Sequence, residues 1–365
     1  MKFSFFAIYI VIIFIICSCN ESIDVTQTGC PLPRYFTDPP GIHEPISVHI
    51  EQKLSSDGVK LAFLLDEEVI LEILNLKTGK IQKIDFYKKL PSNVRFIAYS
   101  DYDWCPYNGN RLLISAVTLT DTAGDGKKYV WGINLYVISL DGTELKKITP
   151  KECPKEGAQG IASLVWLHES TNERDLISGS FYTIYSNHPL DYIYEGIYIP
   201  QTNEFISPSP YKLLRRQAKD GSYYSHEYYQ TSPSYKYNIL INGQIINFAE
   251  NNDSVTVGYV SWSPDSKKLA LSVGISENDS VPLDNHRFSE IWIIDVEKYM
   301  IEKPLFIPVQ IINLRKIFCM YGGMWAEFIT DSTLAVSMGG PNADFLYIYE
   351  ITTDGKMVRQ LTFEP

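Results

Sequence analysis

The sequence lacks the short motifs that mark common enzyme classes. It has no G-x-S-x-G elbow, no H-E-x-x-H pair and no Gly-rich phosphate loop, so α/β-hydrolase, zincin and P-loop chemistry have no support in it. Histidine is sparse, with six residues at 43, 49, 168, 188, 226 and 286, each standing alone. Isolated histidines suit surface or packed positions better than general-base work. Positive charge is also short: 32 Lys and Arg against 43 Asp and Glu leave a formal charge of -11. Such a surface repels phosphate backbones, and nucleic acid is excluded as an expected partner. Four cysteines (Cys30, Cys105, Cys153 and Cys319) follow the N-terminal region. Their spacings match no paired C-x-x-C zinc site, and four cysteines allow three pairings among which spacing does not choose. No metal and no cofactor is expected.

The one long apolar run, Phe3 to Ile16 after Lys2, is shorter than the roughly 20 residues of a spanning helix. It leads into Ile16-Cys17-Ser18-Cys19, which resembles a bacterial lipoprotein signal. An aliphatic residue stands three places before a cysteine, with a small residue directly before it. Cys19 fits as the lipidated residue better than Cys17, which follows bulky Ile16. An uncleaved anchor or an ordinary secretory signal are the alternatives. Residues 1–18 are thus read as signal peptide. Residues 19–45, polar and proline-rich with the run CPLPRYFTDPPGIHEP, are read as a flexible tether, reaching roughly 25 to 30 Å as a random coil. The expected location is the cell envelope, membrane-anchored and facing the periplasm or the cell exterior.

What the sequence has in excess is aromatic residues, with 25 Tyr and 17 Phe alongside 22 Gly and 20 Pro. That mixture favours strands punctuated by turns. A two-part unit of strand pairs recurs, clearest as VSWSPDSKKLALSV followed by EIWIIDVE. Further copies are SSDGVKLAFLL with LEILNLKTGKIQKI, CPYNGNRLLISA with LYVISLDGTELKKIT, LHESTNERDLISGS with IYIPQTNEFISPS, and FITDSTLAVSM with LYIYEITTDGKMVRQLT. The first turns fall near 57, 108, 172, 265 and 331, and the widest gap holds a Tyr-rich stretch with an Asn242-Gly243 turn, read as a degenerate fourth unit. Four-stranded antiparallel units at this period predict an all-β fold over residues 46–365: a β-propeller of six blades, with five or seven as alternatives.

The VSWSPDSKKLALSV and EIWIIDVE text and the closing RQLTFEP resemble the repeats of the TolB-like six-bladed propeller family. That family usually has Gly where this chain has Ser266; the first unit keeps it as Gly58. The resemblance implies that Trp262 to Ser266 is scaffold, with Trp262 ending the inner strand and Pro264 and Asp265 setting the turn.

If the strands of each blade are called A to D outward, the stretches 117–130, 181–194, 274–289 and 339–344 read as long B–C loops crowded on one face, where binding usually resides. Two of them share Pro-Leu-Asp: SNHPLDYIYEGIY and DSVPLDNHRFSEIWI. They place Asp191 and Asp284 in equivalent positions with Tyr192, Tyr194, His286 and Arg287 nearby, a candidate binding face edged by aromatics. A shared capping turn is the plainer alternative. Tyr182 and Tyr185 read as core or sheet surface, and the acidic loop with Asp121 and Asp125 as a solvated turn rather than a calcium site. The expected function is a non-catalytic propeller that binds a protein partner in a cell-envelope assembly. The alternative is a glycan-binding protein or a carbohydrate-active propeller.

Overall fold

The computed structural model describes residues 49–65, 70–121, 129–150, 160–183, 191–206, 214–231, 234–246, 255–275, 288–298, 309–318, 321–339 and 347–362. The chain divides at residue 43, and the unit Glu44–Pro365 holds every described strand.

Twenty-four strands form six separate four-stranded antiparallel sheets, each built from consecutive strands. Blade one is β1 (His49–Leu54), β2 (Lys60–Leu65), β3 (Ile70–Asn75) and β4 (Ile81–Ile84). Blade two is β5 (Val94–Trp104), β6 (Arg111–Asp121), β7 (Tyr129–Ser139) and β8 (Leu145–Lys147). Blade three is β9 (Gly160–Trp166), β10 (Ile177–Thr183), β11 (Asp191–Ile199) and β12 (Glu204–Ile206). Blade four, read from sequence as degenerate, is complete: β13 (Leu214–Gln217), β14 (Tyr223–Thr231), β15 (Ser234–Ile241) and β16 (Gln244–Ile246). Blade five is β17 (Val255–Trp262), β18 (Lys268–Ile275), β19 (Phe288–Asp295) and β20 (Gln310–Asn313). Blade six is β21 (Tyr321–Thr330), β22 (Thr333–Gly339), β23 (Tyr347–Thr352) and β24 (Met357–Gln360). The protein is a six-bladed β-propeller.

The apolar strands are buried on both faces because each blade is sandwiched between two others. In β2, Ala62 and Leu64 join the core shared with blade two, whereas Leu61 and Phe63 join the core shared with blade six. In β7, Tyr136 and Ile138 pack towards blade one, and Leu135 and Val137 towards blade three. Alternate side chains thus enter different seams, so the sequence reads as a continuous apolar run instead of strict alternation. Each fully buried Leu or Phe contributes roughly 1.5–3 kcal/mol. Blades one and six share no strand: β1 pairs with β2, and blade six is β21 to β24 alone. Their seam is closed by packing of Leu61, Phe63 and Leu74 against Ile329, Ala335 and Ile348.

One turn recurs at the A–B and C–D corners. In blade five Ser263 Oγ donates to Asp265 Oδ1 at 2.6 Å, while the Lys267 and Lys268 N–H groups donate to Asp265 Oδ1 and Ser263 Oγ at 3.1 and 2.9 Å. Blade one repeats this with Ser55, Asp57, Val59 and Lys60. The fourth residue is left-handed in both, Gly58 at φ 69° and Ser266 at φ 62°. Trp262 ends its strand and packs against the blade five core, so the Trp-Ser-Pro-Asp run works as scaffold.

Candidate functional site

The two ends of the central channel are built differently. Strand A of each blade runs towards the A–B turn, and the B–C connection lies at the opposite end. Of the stretches read as B–C loops, the described ends are paired strand, and 122–128, 184–190, 276–287 and 340–344 lie outside the described residues. Pairing of β6 with β7 continues to Asp121 opposite Tyr129, β10 with β11 to Thr183 opposite Asp191, and β18 with β19 to Gly274 opposite Phe288. Blade four forms a hairpin paired from Tyr224–Ile241 out to Thr231–Ser234. These arms extend the sheets because their β-branched and aromatic residues go on pairing beyond the core. The outer parts of the arms in the adjacent blades three and four are rich in tyrosine. Register pairs there are Phe181 with Tyr194, Tyr182 with Tyr192, Tyr228 with Tyr237 and Gln230 with Tyr235.

Of the candidate binding residues, Asp191, Tyr192 and Tyr194 therefore sit on β11, at the outer part of the blade three arm. Asp284, His286 and Arg287 lie outside the described residues, as do Cys19, Tyr185, Asp125 and the cysteines at 30, 153 and 319. Cys105 is a buried free thiol whose pKa is raised by burial.

The turn end contains a cavity of about 400 Å³ to which all six blades contribute turn residues: Ser56, Pro106, His168, Lys219, Pro264 and Thr330. Further in, Asp103, Val165, Arg216, Ser261 and Glu327 line it. With Lys53, these occupy one register position, directly before Leu54, Trp104, Trp166, Gln217, Trp262 and Phe328.

Most of this ring serves to tie blades together. Asp103 Oδ2 accepts the Trp166 N–H at 2.8 Å, Ser261 Oγ accepts the Phe328 N–H at 3.0 Å, and Glu327 Oε1 accepts the Leu54 N–H at 3.0 Å. Each side chain thereby satisfies a backbone donor on the inner strand of the following blade, a group that would be costly to bury unpaired. Lys53 instead ion-pairs with Asp101 at 2.8 Å. The seam between blades three and four is tied in reverse, with Gln217 Oε1 accepting the His168 N–H at 2.8 Å.

Arg216 and Glu327 face each other across the ring, Nη2 to Oε2 at 3.5 Å. The Arg216 guanidinium lies 4.7 Å from the Tyr259 ring centroid, a cation–π contact, and the Tyr259 hydroxyl donates to Glu327 Oε2 at 3.2 Å. Burial pushes the Glu327 carboxyl up to about 7 against the opposing pull of Arg216, the Leu54 N–H and Lys53. Burial likewise lowers the His168 imidazole, against the nearby carboxylates of Asp103 and Glu169. Among the described residues no group of three or more His, Cys, Asp or Glu is arranged to hold a metal.

Sequence reading missed this ring. The signal was faint: at this register position a charged residue directly precedes an aromatic in only two of the six inner strands, Asp103-Trp104 and Glu327-Phe328, so the ring is visible only once all six strands are placed in one register.

No protein-family model and no curated protein matches the chain. Solved propellers do. The β-propeller domain of Cps50 (Swd1) from Myceliophteria thermophila is 14% identical over 87% of this chain and 86% of its own, at a TM-score of 0.40. The propeller domain of the Trilobed protease from Pyrococcus furiosus, described as having an open velcro topology, is 14% identical over 86% and 84%, at 0.42. The Dos1 propeller is 12% identical over 88% and 85%, at 0.41. The likeness is one of fold.

Proposed function

We propose that the chain is a membrane-anchored lipoprotein of the cell envelope, lipidated at Cys19, whose TolB-like propeller stands on a tether of residues 19–45 and binds a protein partner through its arm face. The carrying observation is the pair of tyrosine-rich arms on blades three and four, which carry Tyr182, Tyr192, Tyr194, Tyr228, Tyr235 and Tyr237 on paired strands. Tyrosine offers a flat apolar face with a hydroxyl at small entropic cost, and a rigid sheet holds it in place. Asp191 stands where the blade three arm re-enters its sheet, with Asp284, His286 and Arg287 as the charged companions of that face. Carbohydrate-active chemistry has less support. The cavity tryptophans Trp104 and Trp166 are only 4% and 2% exposed, too buried for sugar stacking, and the carboxylates of Asp103 and Glu327 are engaged by backbone N–H groups.

The test is a crosslinking pull-down from native membranes, with wild type beside a variant carrying Asp191→Ala, Asp284→Ala and Arg287→Ala. A discrete protein recovered with wild type and lost with the equally stable variant supports the reading. Recovery of no protein with wild type removes it. In parallel, Cys19→Ala is expected to move the chain from the membrane to the soluble fraction; retention in the membrane refutes lipid anchoring at that residue.

A further inference from the structure

At the other end of the channel, we propose that the turn-face cavity is a receptor for a small monocarboxylate, its carboxylate held by Arg216 with Lys219 and His168 beside it.

The cavity's charges are separated. Arg216 and Lys219 come from blade four, whereas the carboxylates of Asp331, Glu327, Asp57 and Asp103 come from blades six, one and two. His168 of blade three, an imidazole whose charged form burial disfavours, lies on the cavity wall as a polar group. The acidic side is committed. Asp103 accepts the Trp104 and Trp166 N–H groups, Asp331 the Asp265 N–H, and Asp57 the Ser55 hydroxyl and the Val59 N–H. Glu327 accepts from Leu54 and Tyr259 as well as facing Arg216.

The basic side is not. A guanidinium carries five N–H donors in a planar fork. Among the described residues Arg216 has one acceptor, at 3.5 Å, well beyond the 2.7–2.9 Å of a charge-assisted hydrogen bond. Its side chain is only 17% exposed, so bulk water is not the ready substitute it is at a surface. Lys219 is exposed at the rim with no ion-pair partner among the described residues. A planar acceptor matched to the free edge of the guanidinium completes this arrangement.

Charge and volume narrow the class. A dianion such as phosphate would meet Asp103 and Glu327 at close range, so a single negative charge is favoured. About 400 Å³ falls in the range of small-ligand pockets and leaves space for a body behind the carboxylate. The neighbouring Pro106 and Pro264, both half-buried, suit an apolar body. The same chemistry is offered by a free aromatic or aliphatic acid and by the C-terminus of a peptide.

The test uses the full chain, calorimetry and tryptophan fluorescence. The probes are benzoate and benzamide, N-acetyl-Ala-Phe as free acid and as C-terminal amide, and inorganic phosphate. The acids are expected to bind, with amides and phosphate at least about tenfold weaker, the size of one lost hydrogen bond to a charged group. Arg216→Gln is expected to cost about tenfold or more in affinity for the acids. Lys219→Gln, at an exposed position that leaves folding intact, is expected to cost roughly two- to fivefold. Preference for benzoate marks a free acid as the source, and preference for the acidic dipeptide a chain terminus; both support the site. Equal binding of acid and amide, unchanged affinity in both folded variants, or no binding of any probe by wild type overturns it.

Discussion

The turn face and the arm face use the same strands to opposite ends. On the turn face, four-residue corners close the A–B hairpins of blades one and five with side-chain hydrogen bonds, through Ser55–Asp57 and Ser263–Asp265. Asp103, Ser261 and Glu327 then lock three of the inner strands to the next. On the arm face the strands of blades three and four continue their pairing outward through tyrosine-rich positions. Polar groups at the turn end mainly satisfy the fold, with Arg216 and Lys219 as the exceptions, whereas the arms are proposed to meet a partner.

Substitutions at the two ends should differ accordingly. The largest loss is expected from Trp166→Ala, which empties a 2% exposed site between blades two and three and should cost about 3–5 kcal/mol in urea unfolding. Tyr192→Ala on the arm, by contrast, is expected to leave unfolding within about 0.5 kcal/mol of wild type while weakening partner capture. A comparable loss at Tyr192 would erase the distinction between the faces.

Next is Glu327→Ala, expected to cost about 3 kcal/mol, since it frees the Leu54 N–H and leaves Arg216 buried without its carboxylate. The same residue carries a pH signature. Its carboxyl is raised from 4.5 to about 7 in the folded protein, so between those values the folded state holds a proton that the unfolded state has released. The Glu327 contribution to stability is then full below pH 4.5 and is lost as pH rises through 7. Glu327→Gln should flatten that part of the stability profile; a profile identical to wild type would show that Glu327 titrates normally.

The smallest effect is a gain. Ser266 holds a left-handed φ of 62° where blade one has Gly58, and Ser266→Gly is expected to stabilise by about 0.5–1 kcal/mol in the same unfolding measurement. No gain would mean that the Ser266 hydroxyl, which accepts the Asp220 N–H at 3.4 Å, compensates the backbone strain.

The repeat was legible because the turn chemistry is local: Ser-x-Asp followed by Gly or Ser places hydrogen-bonding groups within five residues of each other. Six blades followed from it, including blade four, whose Asn242-Gly243 turn survives where the Ser and Pro of the motif do not. The loop reading rested on local turn formers such as Asn187, Pro189, Pro282 and Asn285, which lie outside the described residues, whereas pairing of the flanking ends at Asp191 and Phe288 depends on a partner strand. The cavity ring was hidden for a different reason. Arg216 and Glu327 are 111 residues apart and meet only through ring closure, which no local pattern encodes.

The central claim is that the arm face meets the protein partner and the turn face does not. A photo-crosslinking amino acid placed singly at Tyr192 on the blade three arm and at Lys219 on the cavity rim, in native membranes, tests it directly. A discrete protein adduct from Tyr192 and none from Lys219 is the expected result. An adduct from Lys219 with none from Tyr192 would contradict the account and move the partner to the turn face.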